Sequence, residues 1–292
     1  MSDTAAGADW ALLAILQSAW PWLERRGVPN ARRDAEELLA HTLGCTRLDL
    51  YLDHDRPLTA DERTRFRDLL QRRGRREPLQ YIMGTVPFRS IDLVVDSRAL
   101  IPRPETEELV GHLLEHERAL CPVGGQRILE VGTGSGCIAL SILKELPGSR
   151  VTSLDVSRDA LTLCRENALR LSLKESLELV HCDFLSGFPD GRWDVLVSNP
   201  PYVSPDLKPG LQPELGFEPS QALFTRDAEG LEFYRRMACG VHTLLVPGGR
   251  IYLEISHGQG PAILELFSPL LAHCSVLPDL AGRERILLGR LP

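Results

Sequence analysis

The sequence predicts an α/β domain with a seven-stranded, mostly parallel sheet, set behind a small helical bundle and a β-hairpin linker. Three observations carry that expectation. Apolar residues recur at helical steps from residue 8 to about 75. From Arg127 onward, short apolar runs alternate with helical patterns, which implies parallel βαβ units with both sheet faces covered. The 292 residues exceed the roughly 100–150 of one domain, so two domains are expected. Hydrophobic residues at 43% and charged residues at 25% match globular averages and exclude disordered, collagen-like and disulfide-scaffold chains.

Taken in order, Trp10, Leu13, Leu16 and Trp20 recur at three- and four-residue steps, as do Ala35, Leu38, Leu39 and Leu43. Gly27 and Gly44 read as helix stops and Asn30 as an N-cap. Thr59-Ala60-Asp61-Glu62 is a capping-box signature opening a helix through about Arg73. Arg72-Arg73-Gly74-Arg75-Arg76 then reads either as a solvated helix end suited to the dipole or as a docking patch for an acidic or RNA-bound partner. Residues 80–83 and 91–95, separated by Pro87, read as the two strands of the hairpin. A helix is expected over 105–117. Strands are expected at 127–131, 150–154, 177–181, 193–198, 250–255, 273–277 and 285–289, with helices beginning near Ser135, Ser157, Glu229 and Gln259. The short turn from Asp279 to Gly282 requires one of the last two strands to run antiparallel. The domains are thus expected as 1–78, 79–103 and 104–292.

The net charge of −7 is uneven, because residues 1–90 hold fourteen Arg against thirteen acids and leave the excess of acids to the remainder. An acidic body argues against a general, charge-driven grip on nucleic acid. The seven Cys lack a CxxC pair and sit mostly in apolar stretches, as buried reduced thiols do; no metal site is expected. Asp3 and Asp9, with no positive residue before Arg25, fit neither a secretory signal nor a transit peptide. No run approaches the roughly 18 apolar residues of a membrane span. A soluble, cytoplasmic protein is expected.

Glu130-Val131-Gly132-Thr133-Gly134-Ser135-Gly136 follows the first strand of the sheet and opens a helix, where glycines let the backbone approach a ligand. A dinucleotide fingerprint needs glycine where Cys137 stands, and the Gly-Lys-Ser/Thr of a Walker loop is absent. The acid-x-Gly-x-Gly-x-Gly spacing instead resembles that of S-adenosylmethionine-dependent methyltransferases. That likeness puts Glu130 near the cofactor's amino group. Asp155, ending the second strand, can accept the ribose hydroxyls, and Asp183-Phe184 after the third can meet and cover the adenine. A plain tight turn with Asp155 as a helix cap is the competing reading.

After the fourth strand comes Asn199-Pro200-Pro201-Tyr202. The lone pair of an amide or ring-attached nitrogen is delocalised, so a site helps methylation by accepting hydrogen bonds from both N–H groups. The Asn199 side-chain oxygen can accept one and the Pro200 carbonyl the other, held rigid by consecutive prolines. Tyr202 offers an aromatic face to a flat substrate group. Positioning and electrostatics do the work.

The tetrapeptide is shared by amino-methyltransferases acting on adenine, guanine and glutamine. Further segments narrow it: Glu77-Pro78-Leu79-Gln80-Tyr81-Ile82-Met83-Gly84, Leu100-Ile101-Pro102-Arg103-Pro104-Glu105-Thr106-Glu107, Phe217-Glu218-Pro219, Gly230-Leu231-Glu232-Phe233-Tyr234-Arg235 and Leu253-Glu254-Ile255. With these the chain resembles, over essentially its whole length, the release-factor glutamine methyltransferase family of PrmC/HemK type. The resemblance implies a Rossmann-like, seven-stranded methyltransferase domain, S-adenosyl-L-methionine as cofactor, and class-1 peptide chain release factors as protein partners, methylated on the glutamine of their Gly-Gly-Gln motif. It carries over residues Gly132, Thr133, Gly134, Ser135, Gly136, Asp155, Asp183, Phe184 and Asn199 as cofactor contacts, Asn199 to Tyr202 as the glutamine clamp, and Arg103 and Thr106 as neighbours of the pocket. The near-neutral, Arg-rich first ninety residues are then the candidate docking module for the release factor, with Arg72, Arg73, Arg75 and Arg76 expected to contribute. Sequence-specific nucleic-acid binding and membrane association are not expected. Two rivals remain open: an amino-methyltransferase of nucleic-acid bases, and a non-catalytic cofactor-binding protein.

Overall fold

A computed structural model of the chain describes residues 11–121 and 125–292, so Asp3, Asp9 and Trp10 lie outside it. The chain divides into two compact units. One takes the chain up to Gly84 together with Gln212–Phe217, the other Thr85–Leu211 and Glu218–Pro292.

The first unit is helical: α1 (Leu12–Glu24), α2 (Ala31–Leu43), α3 (Arg47–Leu52), α4 (Ala60–Gly74) and α5 (Leu79–Met83). Helix α1 buries Leu12, Leu16, Ala19 and Leu23 rather than Leu13 and Trp20. The expected period is present with its face rotated: Leu16 is buried and Trp20 packs at the edge of the core, because a segment apolar nearly all round does not itself select a face. Helix α2 buries Ala31, Ala35, Leu38 and Leu39 as its pattern requires, and these pack with Leu50, Leu58, Phe66 and Ile82. Gly44, at φ +66°, closes α2, whereas Asn30 occupies the N-cap position without a side-chain bond. The capping box of α4 is complete: the Thr59 hydroxyl accepts from the Glu62 amide at 3.2 Å and the Glu62 carboxylate from the Thr59 amide at 2.8 Å.

Residues 79–83 correct the sequence reading, since they form a helical turn and not a strand. A short apolar run does not distinguish the two, and Pro78 with its preset φ starts the turn, Gly84 at φ +75° ends it, and Ile82 joins the helical core.

The arginine run ends the fourth helix, and three of its four guanidinium groups are paired with carboxylates of the same unit. Arg73 is buried, with Nε on Asp34 at 2.7 Å and Nη2 on Glu214 at 2.9 Å. Arg76 takes the same Glu214 through two bonds of 2.7 and 2.6 Å, and Arg72 binds Glu77. Arg75 is the exposed member of the four.

The second unit begins with the hairpin, β1 (Thr85–Phe88) and β2 (Ile91–Val94), in which Pro87 sits opposite Asp92. A two-stranded ribbon leaves each strand a free edge, which tolerates the missing N–H. There follow α6 (Pro104–Leu120), β3 (Arg127–Val131), α7 (Cys137–Glu145), β4 (Arg150–Asp155), α8 (Arg158–Arg170), β5 (Leu177–His181), β6 (Trp193–Ser198), α9 (Ser220–Leu223), α10 (Glu232–Leu244), β7 (Leu245–Glu254), α11 (Gly260–Phe267), β8 (Ala272–Pro278) and β9 (Glu284–Arg290). The seven strands lie in the order β5-β4-β3-β6-β7-β9-β8, and β9 is antiparallel to both neighbours. Strand β7 starts earlier than its apolar run suggests: Trp193 pairs with Leu245, and pairing resumes at Val195 with Arg250 after residues 246–249 loop out. The chain steps outward from β3 to β4 and β5, then returns to place β6 on the other side of β3. That reversal opens a crevice at the carboxyl ends of the parallel strands, where open α/β sheets take ligands. No helix among the described residues is long and apolar enough to cross a membrane.

Candidate active site

Strand β3 leaves the sheet through three glycines with positive φ, Gly132 at +89°, Gly134 at +55° and Gly136 at +86°. The turn folds back onto β4, where the Leu154 carbonyl accepts from the amides of Gly132 and Thr133 at 2.8 and 2.9 Å. A Cβ on Gly136 would stand 2.5 Å from Cys164 Sγ, so glycine there lets α7 start flush against α8. At the end of β4, the Asp155 carboxylate accepts from the Gly134 amide at 2.9 Å and the Ser157 amide at 2.8 Å. Burial pushes this carboxyl up while those amides pull it back, and each oxygen keeps a second lone pair for a ligand. After β5, Asp183 accepts from the Ser186 hydroxyl at 2.6 Å, which holds its carboxyl below the usual range. Phe184 is buried with its ring 5.4 Å from Phe188.

These strand ends enclose a cavity of about 450 Å³, within the roughly 300–1,000 Å³ of small-molecule sites. Its wall includes Gly132, Thr133, Gly134, Ser135, Asp155, Asp183, Phe184, Asn199, Pro200, Pro201, Arg103 and Thr106. The size, the acid at the β4 end and the aromatic wall fit a nucleoside-bearing cofactor. Glu130, Gly136 and Tyr202, also expected at the site, lie off the wall. Strand alternation explains Glu130: Val131 faces the cavity, so Glu130 points to the other side, beneath α7. There it is fully buried and bound by the Ser153 hydroxyl, and burial pushes its carboxyl up to about 8.

The tetrapeptide is set by a network that the sequence reading did not contain. Asn199 Nδ2 donates to Thr106 Oγ1 at 3.0 Å, Thr106 donates to Glu254 Oε2 at 2.6 Å, and the Tyr202 hydroxyl donates to Glu254 Oε1 at 3.1 Å. With one N–H of its nitrogen held by Thr106, the Asn199 carboxamide is oriented and Oδ1 is left as its acceptor. Among the described residues nothing donates to Asn199 Oδ1 or to the Pro200 carbonyl. Tyr202 is anchored by its hydroxyl and packs its ring on the sheet core instead of presenting it to the cavity. Glu254 is fully buried; burial pushes its carboxyl up to about 7 against the pull of the two hydroxyls. A second buried acid, Glu218, accepts from the Ile101 amide at 3.0 Å and from Arg103 at 2.6 Å, which fixes Arg103 at the cavity edge. A carboxylate inside an apolar strand, as in Leu253-Glu254-Ile255, is the signal that could have singled out Glu254. His112 and His116 stand four apart on α6, yet among the described residues no group of three or more His, Cys, Asp or Glu is arranged to hold a metal.

A methyltransferase is the class that this sheet order and crevice define, and residues 106–209 match the family described as methyltransferase small domain. Residues 14–84 match the PrmC N-terminal domain. The release factor glutamine methyltransferase of Chlorobaculum tepidum is 40% identical over 94% of this chain and 96% of its own. The protein of the same name from Geobacter sulfurreducens is 36% identical over 97% of each. Among solved structures, a methyltransferase from Pyrococcus furiosus aligns with 68% of this chain and 88% of its own at 20% identity, with a TM-score of 0.49. The chain belongs to the release factor glutamine methyltransferase family.

Proposed function

We propose that the chain transfers a methyl group from S-adenosyl-L-methionine to the side-chain amide nitrogen of the glutamine in the Gly-Gly-Gln motif of class-1 peptide chain release factors. The observation that carries this is the pair of open acceptors at the end of β6, Asn199 Oδ1 and the Pro200 carbonyl. S-adenosyl-L-methionine, when bound, supplies a methyl on a cationic sulfur open to in-line displacement. Residues 132–135, Asp155, Asp183 and Phe184 are the groups that would hold it. Asn199 and Pro200 accept the two N–H groups of the substrate amide, which turns its lone pair toward the methyl and fixes the acceptor in line. The carbonyl dipoles also face the positive charge that develops on that nitrogen. A general base is not required before transfer, because the product cation is acidic and sheds its proton readily.

The helical unit is the proposed docking module for the release factor, and a cytoplasmic location belongs to the same reading. Of the four arginines, Arg75 is the exposed candidate for its docking face, while the guanidinium groups of Arg72, Arg73 and Arg76 bind carboxylates of that unit. Incubation with methyl-labelled cofactor and either a release factor or nucleic acid tests the substrate. Label is expected in the release factor; label in DNA or RNA alone overturns the reading in favour of a base methyltransferase.

A further inference from the structure

We propose that Thr106 and Glu254 are positioning residues for methyl transfer, forming a directional hydrogen-bond relay that locks the Asn199 carboxamide with its oxygen toward the substrate; the inference rests on the functional reading above. The direction follows from proton counting. The Thr106 hydroxyl has one proton, and at 2.6 Å from the Glu254 carboxylate it is committed there. Only lone pairs then face Asn199, so the carboxamide must offer its nitrogen to Thr106 and leave its oxygen open. Tyr202 holds the other Glu254 oxygen, so the carboxylate is fixed from both sides.

Reversal of the relay inverts the site. If Glu254 carries a proton it can donate to Thr106, whose own proton then turns to Asn199 and draws the carboxamide oxygen inward. The cavity would then present an N–H donor where the substrate amide needs an acceptor. The groups around Glu254 are Thr106 and Glu105 from α6, Tyr202 following β6, Arg285 on β9, Cys137 on α7 and Tyr234 on α10, whose hydroxyl donates to the Glu254 carbonyl at 2.7 Å. Arg285 is already bound to Asp279 and to the Ile255 carbonyl, so its charge acts on Glu254 without a direct hydrogen bond. With the Glu254 carboxyl near 7, the active direction is the one above that pH.

The test compares Thr106→Val, Thr106→Ser and Glu254→Gln with the wild type, measuring kcat and KM for a release factor across pH, cofactor affinity by calorimetry, and folding by circular dichroism. Thr106→Val is expected to lower kcat roughly 10- to 100-fold by misplacing the amide, with cofactor affinity unchanged, and Thr106→Ser to recover it. Wild-type kcat should rise with pH through about 7, and Glu254→Gln should be slow and lack that step. A flat wild-type profile, a Thr106→Val enzyme with wild-type kcat, or a Thr106→Ser enzyme as slow as Thr106→Val overturns the relay. A wild-type protein that methylates no release factor overturns the functional reading instead.

Discussion

The side-chain nitrogen of Asn199 donates to the hydroxyl of Thr106 at 3.0 Å, across 93 residues of sequence. The bond fixes the orientation of the carboxamide: it takes one N–H of Nδ2 and leaves Oδ1 as the acceptor. Asn199→Ala is therefore expected to cost roughly 10²–10³ in kcat, the scale for losing one preorganised polar contact. The variant should still bind cofactor in calorimetry, and unchanged turnover would remove Asn199 from the mechanism.

Glu130 makes the stability of the methyltransferase unit depend on pH. Its folded carboxyl is raised from 4.5 to about 8, so the folded chain holds a proton that the unfolded chain releases. Stability from this group is fully present below about 4.5 and is lost as pH rises through about 8. Glu130→Gln should flatten that dependence, gaining urea midpoint over the wild type above pH 8 and not near pH 5. Parallel midpoint curves for the two proteins would contradict it.

Arg73 and Arg75 lie two residues apart and should behave oppositely. Arg73→Ala strands Asp34 inside the helical unit, a loss of about 3–5 kcal/mol for a broken buried pair. The exposed Arg75→Ala should stay within about 0.5 kcal/mol. Urea unfolding followed by the fluorescence of Trp20 and Trp22 reads both, and equal effects would contradict the ion-pair assignment.

Gly230 supports the tetrapeptide from behind. Its φ is +72°, and a Cβ there would stand 2.3 Å from the Tyr202 carbonyl oxygen. Gly230→Ala should destabilise by about 2 kcal/mol or more through backbone strain alone, and should lower kcat more than cofactor affinity as Tyr202 is displaced. A stable variant with normal kcat would show that the Tyr202 backbone has room to move.

Much of this was legible in the sequence because it is local. Alternating apolar runs located every strand of the large sheet, and the glycine turn, Asp155 and Asn199 stand at strand ends where ligands collect. Residues 79–83 misled because five residues carry too little periodicity to separate a strand from a helical turn. A motif gives identity and not facing: pleat alternation turns Glu130 away from the cavity, and a buried carboxylate ties down the hydroxyl of Tyr202. Glu254 and Glu218 stood in segments that carry the family resemblance, but their roles were not legible because Thr106, Ile101 and Arg103 lie more than a hundred residues away in sequence.

Mass spectrometry of a release factor incubated with the protein and S-adenosyl-L-methionine locates the transferred methyl. One added methyl is expected, located on the side-chain nitrogen of the Gly-Gly-Gln glutamine. An unmodified glutamine, or a methyl on any other residue, would contradict it.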